Sequence, residues 1–349
     1  MLAEAGGPLG LEFTFVDPAE SPCAAGLGRH IRAEFTDDEA LQQLSSVSDV
    51  VTYEFENVAV DQLESLARRV RVLPDPAALR IAQRRDREKQ FFERIGIPVS
   101  PWACIDSQTQ LEAALNELQF PVIVKTNRFG YDGKGQQTIR SHDEAIGLFS
   151  ALGNVTLTLE QYVDFDCEVS IIGTRAADGN LAVYPLTRNE HANGILRNSR
   201  ALPVEHPLAI SATAQLRTLT EALDYVGTVA IEFFVSGDRL IGNEFAPRVH
   251  NSGHWTIEGA AVSQFENHLR AICGLPLGST EVLVKAAMQN FIGEIPHLQA
   301  LLSVDGLHLH DYRKEPRPGR KVGHATIVAD RDETLEARLR KLTDAMVSM

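Results

Sequence analysis

The sequence predicts an α/β first region joined to an α+β second region, with a small mixed segment at the end. Three observations predict it. Short apolar runs alternate with a helix-spaced segment near the start, as in a parallel, doubly wound layer. A charged amphipathic helix stops at Gly96 with Pro98 and Pro101 close behind, which marks a boundary. Beyond it, helices are interspersed with apolar strands that follow one another in pairs, as antiparallel pieces do. The expected divisions are 1–98, 99–275 and 276–349.

The runs LEFTFVD (11–17), DVVTYEF (49–55) and VRVLP (70–74) read as buried strands, and NVAVDQLESLARR (57–69) has helical apolar spacing. Asp17 stands where a ribose-binding acid sits in a dinucleotide fold, but no glycine-rich turn precedes it, which disfavours a nicotinamide site. RRDREKQFFERIGIPVSPW (84–102) supplies the boundary helix. Next come a helix in QTQLEAALNEL (108–118), a strand in FPVIVKT (120–126) and a glycine-rich loop. A helix in SHDEAIGLFSAL (141–152) and strands in VTLTLEQYV (155–163) and CEVSIIGT (167–174) come after it. A long helix is expected over 208–225, a strand pair over 228–244 and a helix over 259–273. Short strands and the amphipathic RDETLEARLRKLTDAM (331–346) close the chain.

With 349 residues and 44% hydrophobic content, the chain can bury a sizeable core. It carries 33 Lys+Arg against 47 Asp+Glu, a formal net charge of −14, which argues against non-specific binding to nucleic acid or an anionic membrane. Basic contacts to an anionic substrate must therefore be local. Cys23, Cys104, Cys167 and Cys273 are far apart and read as thiols in a reducing compartment rather than as disulfides or zinc ligands. No apolar run approaches the roughly 20 residues of a bilayer span. MLAEAGGPLG lacks the basic and apolar parts of a signal peptide, so the expected location is the cytoplasm.

Three stretches carry chemistry. In VKTNRFGYDGKGQ (124–136), Gly130, Gly133 and Gly135 surround Tyr131, Asp132 and Lys134. Glycines let backbone N–H groups close on phosphate oxygens, Lys125 adds a fixed charge and Lys134 a mobile one. The loop is not a P-loop, and a hairpin tip with solvated charges would read the same way. In LEQYVDFDCEVSII (159–172), Glu160 ends one strand and Glu168 begins another. Such a hinge can offer backbone groups to an adenine edge and an acid to two ribose hydroxyls; two solvated edge acids are the plainer reading. The sharpest stretch is the strand pair, with Glu232 in AIEFF and Glu244 in GNEFAP. A carboxylate amid Ala230, Ile231, Phe233 and Phe234 is costly unless paired or bound to a cation. Two acids facing across a hairpin suit Mg²⁺ on a nucleotide, with Asn243 beside them. A structural salt bridge is the alternative, although Arg239 is the only basic residue within the pair.

These elements, in this order, resemble the ATP-grasp superfamily. FGYDGKGQ, YPLTRNEHANGILRNS, NEFAPRVHNSGHW and RPGRKVGH together are similar to the 5-(carboxyamino)imidazole ribonucleotide synthase family over essentially the whole chain. The resemblance implies an ATP-grasp fold with an N-terminally truncated Rossmann-like first domain and a small C-terminal domain. It implies ATP-dependent carboxylation of 5-aminoimidazole ribonucleotide with bicarbonate, through carboxyphosphate, with ATP and Mg²⁺ bound and a homodimeric assembly.

Residue by residue, Arg85 and Lys125 would contact the phosphates, with Gly130, Gly133 and Gly135 around them. Glu160 and the backbone of Gln161, Tyr162 and Val163 would hold adenine, Glu168 the ribose, and His191 would approach the nucleotide. Glu232 and Glu244 would bind Mg²⁺ beside Asn243. Tyr131, Asp132, Lys134, Arg248, His250 and Asn251 would surround bicarbonate and the ribonucleotide. Lys314, Arg317, Arg320 and Lys321 would grip the ribonucleotide phosphate, and Glu56 would meet it from the first domain. His254 and Trp255 read as packing. Another ATP-grasp ligase of a purine precursor, or a nucleotide-binding protein without catalysis, are the alternatives.

Two departures from the family pattern stand out. The family opens with a strand and a GGGQLGRM turn, whereas MLAEAG matches the residues just after that turn, so the numbering is expected to start at an internal methionine of a longer frame. In AQRRDREK (82–89), Arg84 takes the place of the acid in the family's Gln-Asp-Arg.

Overall fold

The computed structural model describes residues 1–128 and 135–347; Gly130, Tyr131, Asp132, Gly133 and Lys134, on which phosphate and substrate contacts were expected, lie outside the described residues. In the first region β1 (Thr14–Val16) runs parallel to β2 (Arg29–Ile31), and β3 (Val50–Val51) parallel to β4 (Arg71–Val72). The parallel sense matches the expectation. The strand β2 was not foreseen, because RHI offers neither alternation nor an apolar run. The helix Asp38–Val47 begins where the Asp37 side chain accepts the Ala40 N–H at 2.9 Å. It buries Leu41 and Leu44 against Leu63 and Leu66 of the helix Val60–Ala67, and this closes the core of the first region.

The second region starts with β5 (Trp102–Ile105), β6 (Val122–Thr126), β7 (Gln136–Ile139) and β8 (Leu157–Gln161), an antiparallel sheet in the order β5-β8-β6-β7. The helix Gln108–Glu117, capped by Ser107, packs on it through Leu111 and Leu115. The single helix expected over 141–152 is instead a 3₁₀ turn, Asp143–Ala145, and a short helix, Leu148–Ala151. Gly147 between them has φ of +70°, outside helical geometry.

The large sheet contains β9 (Cys167–Arg175), β10 (Leu181–Val183), β11 (Thr187–Ala192), β12 (Ile195–Ala201), β13 (Gly227–Ser236), β14 (Arg239–Ala246), β15 (Lys285–Ile292), β16 (Leu307–Asp311) and β17 (Lys321–Ala329). Its order is β14-β13-β9-β11-β12-β15-β17-β16, with β10 on β9. It does not stop at residue 275: β12 pairs with β15, so the last segment extends the same sheet. The helix Asp332–Val347 covers that end through Leu335 and Leu342.

Period-two alternation divides the faces of β13. Val229, Ile231, Phe233 and Val235 join Leu216 and Leu219 of the helix Ala209–Ala222 in one core, which leaves Glu232 and Phe234 on the opposite face. The helix Arg85–Arg94 covers the edge strand β14. Its Phe91 and Phe92 pack on Phe245 with ring centroids 6.1 and 5.9 Å away. Glu88 Oε1 accepts the Phe245 N–H at 2.7 Å, and Pro98 O accepts the Gly242 N–H at 2.7 Å. An edge closed in this way has no free ladder groups at those positions. A Cβ at Gly242 would lie 3.0 Å from Ile97 and 3.2 Å from Phe92, so a larger residue there would have to push those side chains aside.

His268, on the helix Gln264–Ile272, ties the first region to the large sheet. The Thr228 N–H donates to Nδ1 at 3.1 Å, so Nε2 carries the proton and donates to Thr52 Oγ1 at 2.8 Å. Burial pushes this imidazole down to about 4. A second proton would have to enter at Nδ1 and break the Thr228 bond. The stability it contributes is therefore present above the ordinary histidine value and is lost as pH falls from about 6.5 towards 4, at up to about 1.4 kcal/mol per pH unit. His268→Gln keeps both bonds without titrating. Chemical denaturation of this variant across that window is expected to show a flatter pH dependence than wild type; an identical slope would exclude the assignment.

Candidate active site

The register of β13 and β14 sets Glu232 directly opposite Glu244, so both carboxylates share one face. Between that pair and the next, Phe233 opposite Gly242, the register slips by one residue, and Asn243 has no partner. A bulge of this kind re-aims side chains beside a site. Asn243 Oδ1 is buried and accepts no hydrogen bond. Glu232 is 15% exposed and Glu244 45% exposed.

Each carboxylate has a cationic or hydrogen-bonding partner from another element. His250 Nε2 lies 3.0 Å from Glu232 Oε1, and Arg85 Nη1 lies 3.3 Å from Glu244 Oε2. Burial alone would raise the Glu232 carboxyl. The His250 hydrogen bond, with the charges of His191 and Lys321, overcomes burial and lowers it. Among the described residues no three His, Cys, Asp or Glu side chains converge as a metal site. Two carboxylates and an orphaned amide oxygen nevertheless make a hard-oxygen set that fits Mg²⁺ completed by phosphate oxygens.

His250 is held from both sides: its N–H donates to Gln264 Oε1 at 2.9 Å and its carbonyl accepts from Gln264 Nε2 at 2.6 Å. The Ser252 N–H points at Nδ1 from 3.4 Å, and Ser252 Oγ lies 2.8 Å from the same nitrogen. Nδ1 is thus the acceptor and Nε2–H faces Glu232. The hydroxyl chain continues from Ser252 to Ser170 at 2.6 Å, to which Asn189 Nδ2 donates at 3.1 Å.

Across the cleft, Glu160 is almost fully buried between two ammonium groups. Lys125 Nζ is 2.9 Å from Oε1 and Lys89 Nζ 3.1 Å from Oε2. The contact with Lys125 is a close ion pair rather than a well-aligned hydrogen bond, because Oε1 has no donor pointed at it. Burial would raise the Glu160 carboxyl, but Lys125, Lys89 and Arg85 hold it at about 2. Burial pushes the Lys125 ammonium down, against the pull of Glu160. The Glu160 side chain is thus a counter-ion for the two lysines. At the hinge, the Gln161 and Tyr162 N–H groups donate to Pro101 O at 2.8 Å and Pro121 O at 3.1 Å, so neither is left as a donor to an adenine edge. Glu168 Oε2 meets His191 Nδ1 at 2.7 Å, where a bulge between Glu190 and His191 shifts the register of β11. Burial would lower the His191 imidazole, and Glu168 and Glu232 raise it. Gly135, with φ of +71°, closes the glycine loop where a Cβ would lie 2.6 Å from Thr126 Oγ1.

At the far end Arg248 Nε pairs with Glu56 Oε1 at 2.9 Å, which brings the first region to the polar tail. Asn251 exchanges two hydrogen bonds with Asn290, at 3.1 and 2.7 Å. Lys314 lies over the Tyr312 ring, 5.1 Å from its centroid. Arg317 turns to the exposed Glu315 at 3.1 Å, and Arg320 donates to the Glu315 carbonyl at 3.3 Å. Lys321, whose charge acts on Glu232 and His191, is the basic residue of that segment closest in effect to the site. Trp255 is fully buried and His254 nearly so. Arg84 forks onto Asp86 at 3.0 and 2.9 Å, which offsets its substitution for an acid.

Sequence reasoning missed Lys89 and Asn127. Asn127 Oδ1 accepts the Asp86 N–H at 2.9 Å and its carbonyl accepts the Arg85 N–H at 3.1 Å, fixing the start of the Arg85 helix. A signal for Lys89 was present: it stands three residues before Phe92, on the apolar face of an amphipathic helix.

Residues 1–83 match the ribonucleotide synthetase preATP-grasp domain, 90–265 the ATP-grasp domain and 286–338 the phosphoribosylaminoimidazole carboxylase C-terminal domain. N5-carboxyaminoimidazole ribonucleotide synthase of Pseudomonas aeruginosa is 48% identical over 342 residues, covering 98% of this chain and 95% of that protein. The crystal structure of N5-carboxyaminoimidazole ribonucleotide synthetase from Thermus thermophilus superposes with a TM-score of 0.95 at 47% identity, covering 99% and 95% of the two chains. That of N5-carboxyaminoimidazole synthase from Aspergillus clavatus, in complex with ADP and 5-aminoimidazole ribonucleotide, superposes with a TM-score of 0.91 at 30% identity, covering 100% and 96%.

The contacts of His250 fix its tautomer. Nitrogen-15 NMR of the side chain at neutral pH is expected to show an Nε2–H ring, and Ser252→Ala is expected to raise the Nδ1–H fraction. A wild-type ring protonated on Nδ1 would contradict the orientation described.

Proposed function

The chain belongs to the N5-carboxyaminoimidazole ribonucleotide synthase family, and we infer that its cleft carries out the ATP-dependent carboxylation of 5-aminoimidazole ribonucleotide in purine biosynthesis. Bicarbonate is the proposed carbon source. It attacks the γ-phosphate, ADP leaves, and the resulting carboxyphosphate breaks down to phosphate and CO₂, which the exocyclic amine of the ribonucleotide captures.

The observation that carries the metal assignment is the opposed pair Glu232 and Glu244 beside the unpartnered Asn243 Oδ1. These residues would hold Mg²⁺, which neutralises charge on the triphosphate when bound. Lys125 and Arg85 place fixed positive charge on the phosphates, with Gly130, Gly133 and Gly135 around them. Glu168 accepts from the ribose hydroxyls with His191 behind it. The hinge backbone at Val163 is the proposed contact to the base, with Glu160 buried behind it between Lys89 and Lys125. Arg248, positioned by Glu56, is assigned to bicarbonate and the ribonucleotide, and the resemblance assigns Tyr131, Asp132, Lys134 and Asn251 to the same substrates. His250 holds its proton on Nε2 as a hydrogen-bond donor. Lys314, Arg317, Arg320 and Lys321 take the ribonucleotide phosphate. The enzyme's contributions are proximity, charge neutralisation and exclusion of water.

A homodimer in the cytoplasm completes this reading. No described helix is long and apolar enough to cross a membrane.

In a coupled assay, ADP release is expected to require both bicarbonate and 5-aminoimidazole ribonucleotide, and Glu244→Gln is expected to lower turnover about a hundredfold or more with the circular dichroism spectrum unchanged. ADP release that ignores the ribonucleotide, or a fully active variant, would refute the reading.

A further inference from the structure

Lys89 is 1% exposed and belongs to neither face of the cleft, yet its ammonium reaches both. Nζ lies 3.1 Å from Glu160 Oε2 on β8, in the four-stranded sheet. It donates to Asn243 O at 2.9 Å and to Gly242 O at 3.3 Å on β14, in the large sheet. The ammonium thus makes two hydrogen bonds to the large sheet and one ion pair to the small one. The two carbonyls belong to the bulge that leaves Asn243 out of register, on a strand with no neighbour on that side. Such carbonyls lack a ladder partner, and Lys89 supplies it. The Glu160 carboxylate, in turn, is shared with Lys125.

We propose that Lys89 is a positioning residue for the nucleotide: one buried ammonium fixes the phosphate-facing Lys125 of one sheet and the Asn243–Glu244 segment of the other in a single arrangement. Its action on Lys125 runs through Glu160. With Lys89 present, Glu160 has a second cation, and Lys125 is not its sole counter-ion. Without it, Lys125 is drawn fully onto Glu160 and away from a phosphate. Its action on the metal-presenting segment is direct, through the two carbonyls. Lys89 touches neither substrate nor reacting atoms. This inference rests on the nucleotide-binding reading above.

Removing Lys89 alone strands a buried charge, and the loss of stability would obscure its positioning role. The test is therefore made in a background where Glu160 is uncharged. Mg–ATP affinity is measured by calorimetry for wild type, Glu160→Gln and Glu160→Gln/Lys89→Met, with the melting temperature of each. The double variant is expected to melt within a few degrees of Glu160→Gln and to bind Mg–ATP about tenfold or more weakly than it, because the bulge carbonyls stay without a donor. Equal affinity of the two variants would reduce Lys89 to a counter-charge and overturn the proposal. If the double variant does not fold, Lys89→Arg in the wild-type background decides the matter. It keeps the charge on Glu160 but replaces a compact donor by a planar fork. Affinity lowered about tenfold at an unchanged melting temperature supports the proposal, and wild-type affinity overturns it. Failure of the nucleotide reading itself would be distinct, since wild type would then bind no Mg–ATP.

Discussion

Two carboxylates that face one another across an apolar hairpin must be met by positive charge, or they cannot both remain ionised. This constraint organises the cleft. Glu232 and Glu244 lie opposite each other because β13 and β14 pair in that register, and the rest of β13 is anchored by Ile231 and Phe233 in a dry core. The charge that answers them comes from two separate parts of the chain, Arg85 on the boundary helix and the field of Lys321 from β17, and His250, from the turn after β14, adds a hydrogen bond to Glu232. The proposed cation would join these at the side left open by Asn243.

The same logic holds across the cleft with the signs reversed. Lys89 and Lys125 share the buried carboxylate of Glu160, so two cations are kept in a dry place by one anion. The helix that carries Arg85, Glu88 and Lys89 therefore does more than mark a boundary. It closes the edge of β14 with Glu88, and places one cation on each carboxylate system. Burial raises the Glu88 carboxyl well above its ordinary range, with Glu244 adding to the effect, so this acid serves the backbone of β14 rather than the cleft.

Much of this was legible in the sequence, for identifiable reasons. Acids inside an alternating apolar strand stand out against the pattern, and that is how Glu232 and Glu244 were found. The glycine loop, hinge and polar tail were legible as ordered motifs. Other features depend on pairing that no local pattern encodes. The continuation of the sheet from β12 into β15 joins residues nearly ninety apart, a long-range contact without a local signal. The tie between Asn251 and Asn290 is of the same kind. The burial of Glu160 was not legible, because a carboxylate at a strand end looks solvated until the two lysines beside it are placed in space. The exposed pair of Arg317 with Glu315, two residues away, was likewise not read from the motif.

The account depends most on Glu232 and Glu244 acting as one cation-binding pair. Mn²⁺ in place of Mg²⁺, followed by the loss of its free-ion EPR signal during titration with protein and ATP, measures this directly. The account predicts tight Mn²⁺ uptake by wild type only when nucleotide is present, weakened about tenfold or more in Glu232→Gln/Glu244→Gln. Equal Mn²⁺ affinity in the two proteins would contradict it.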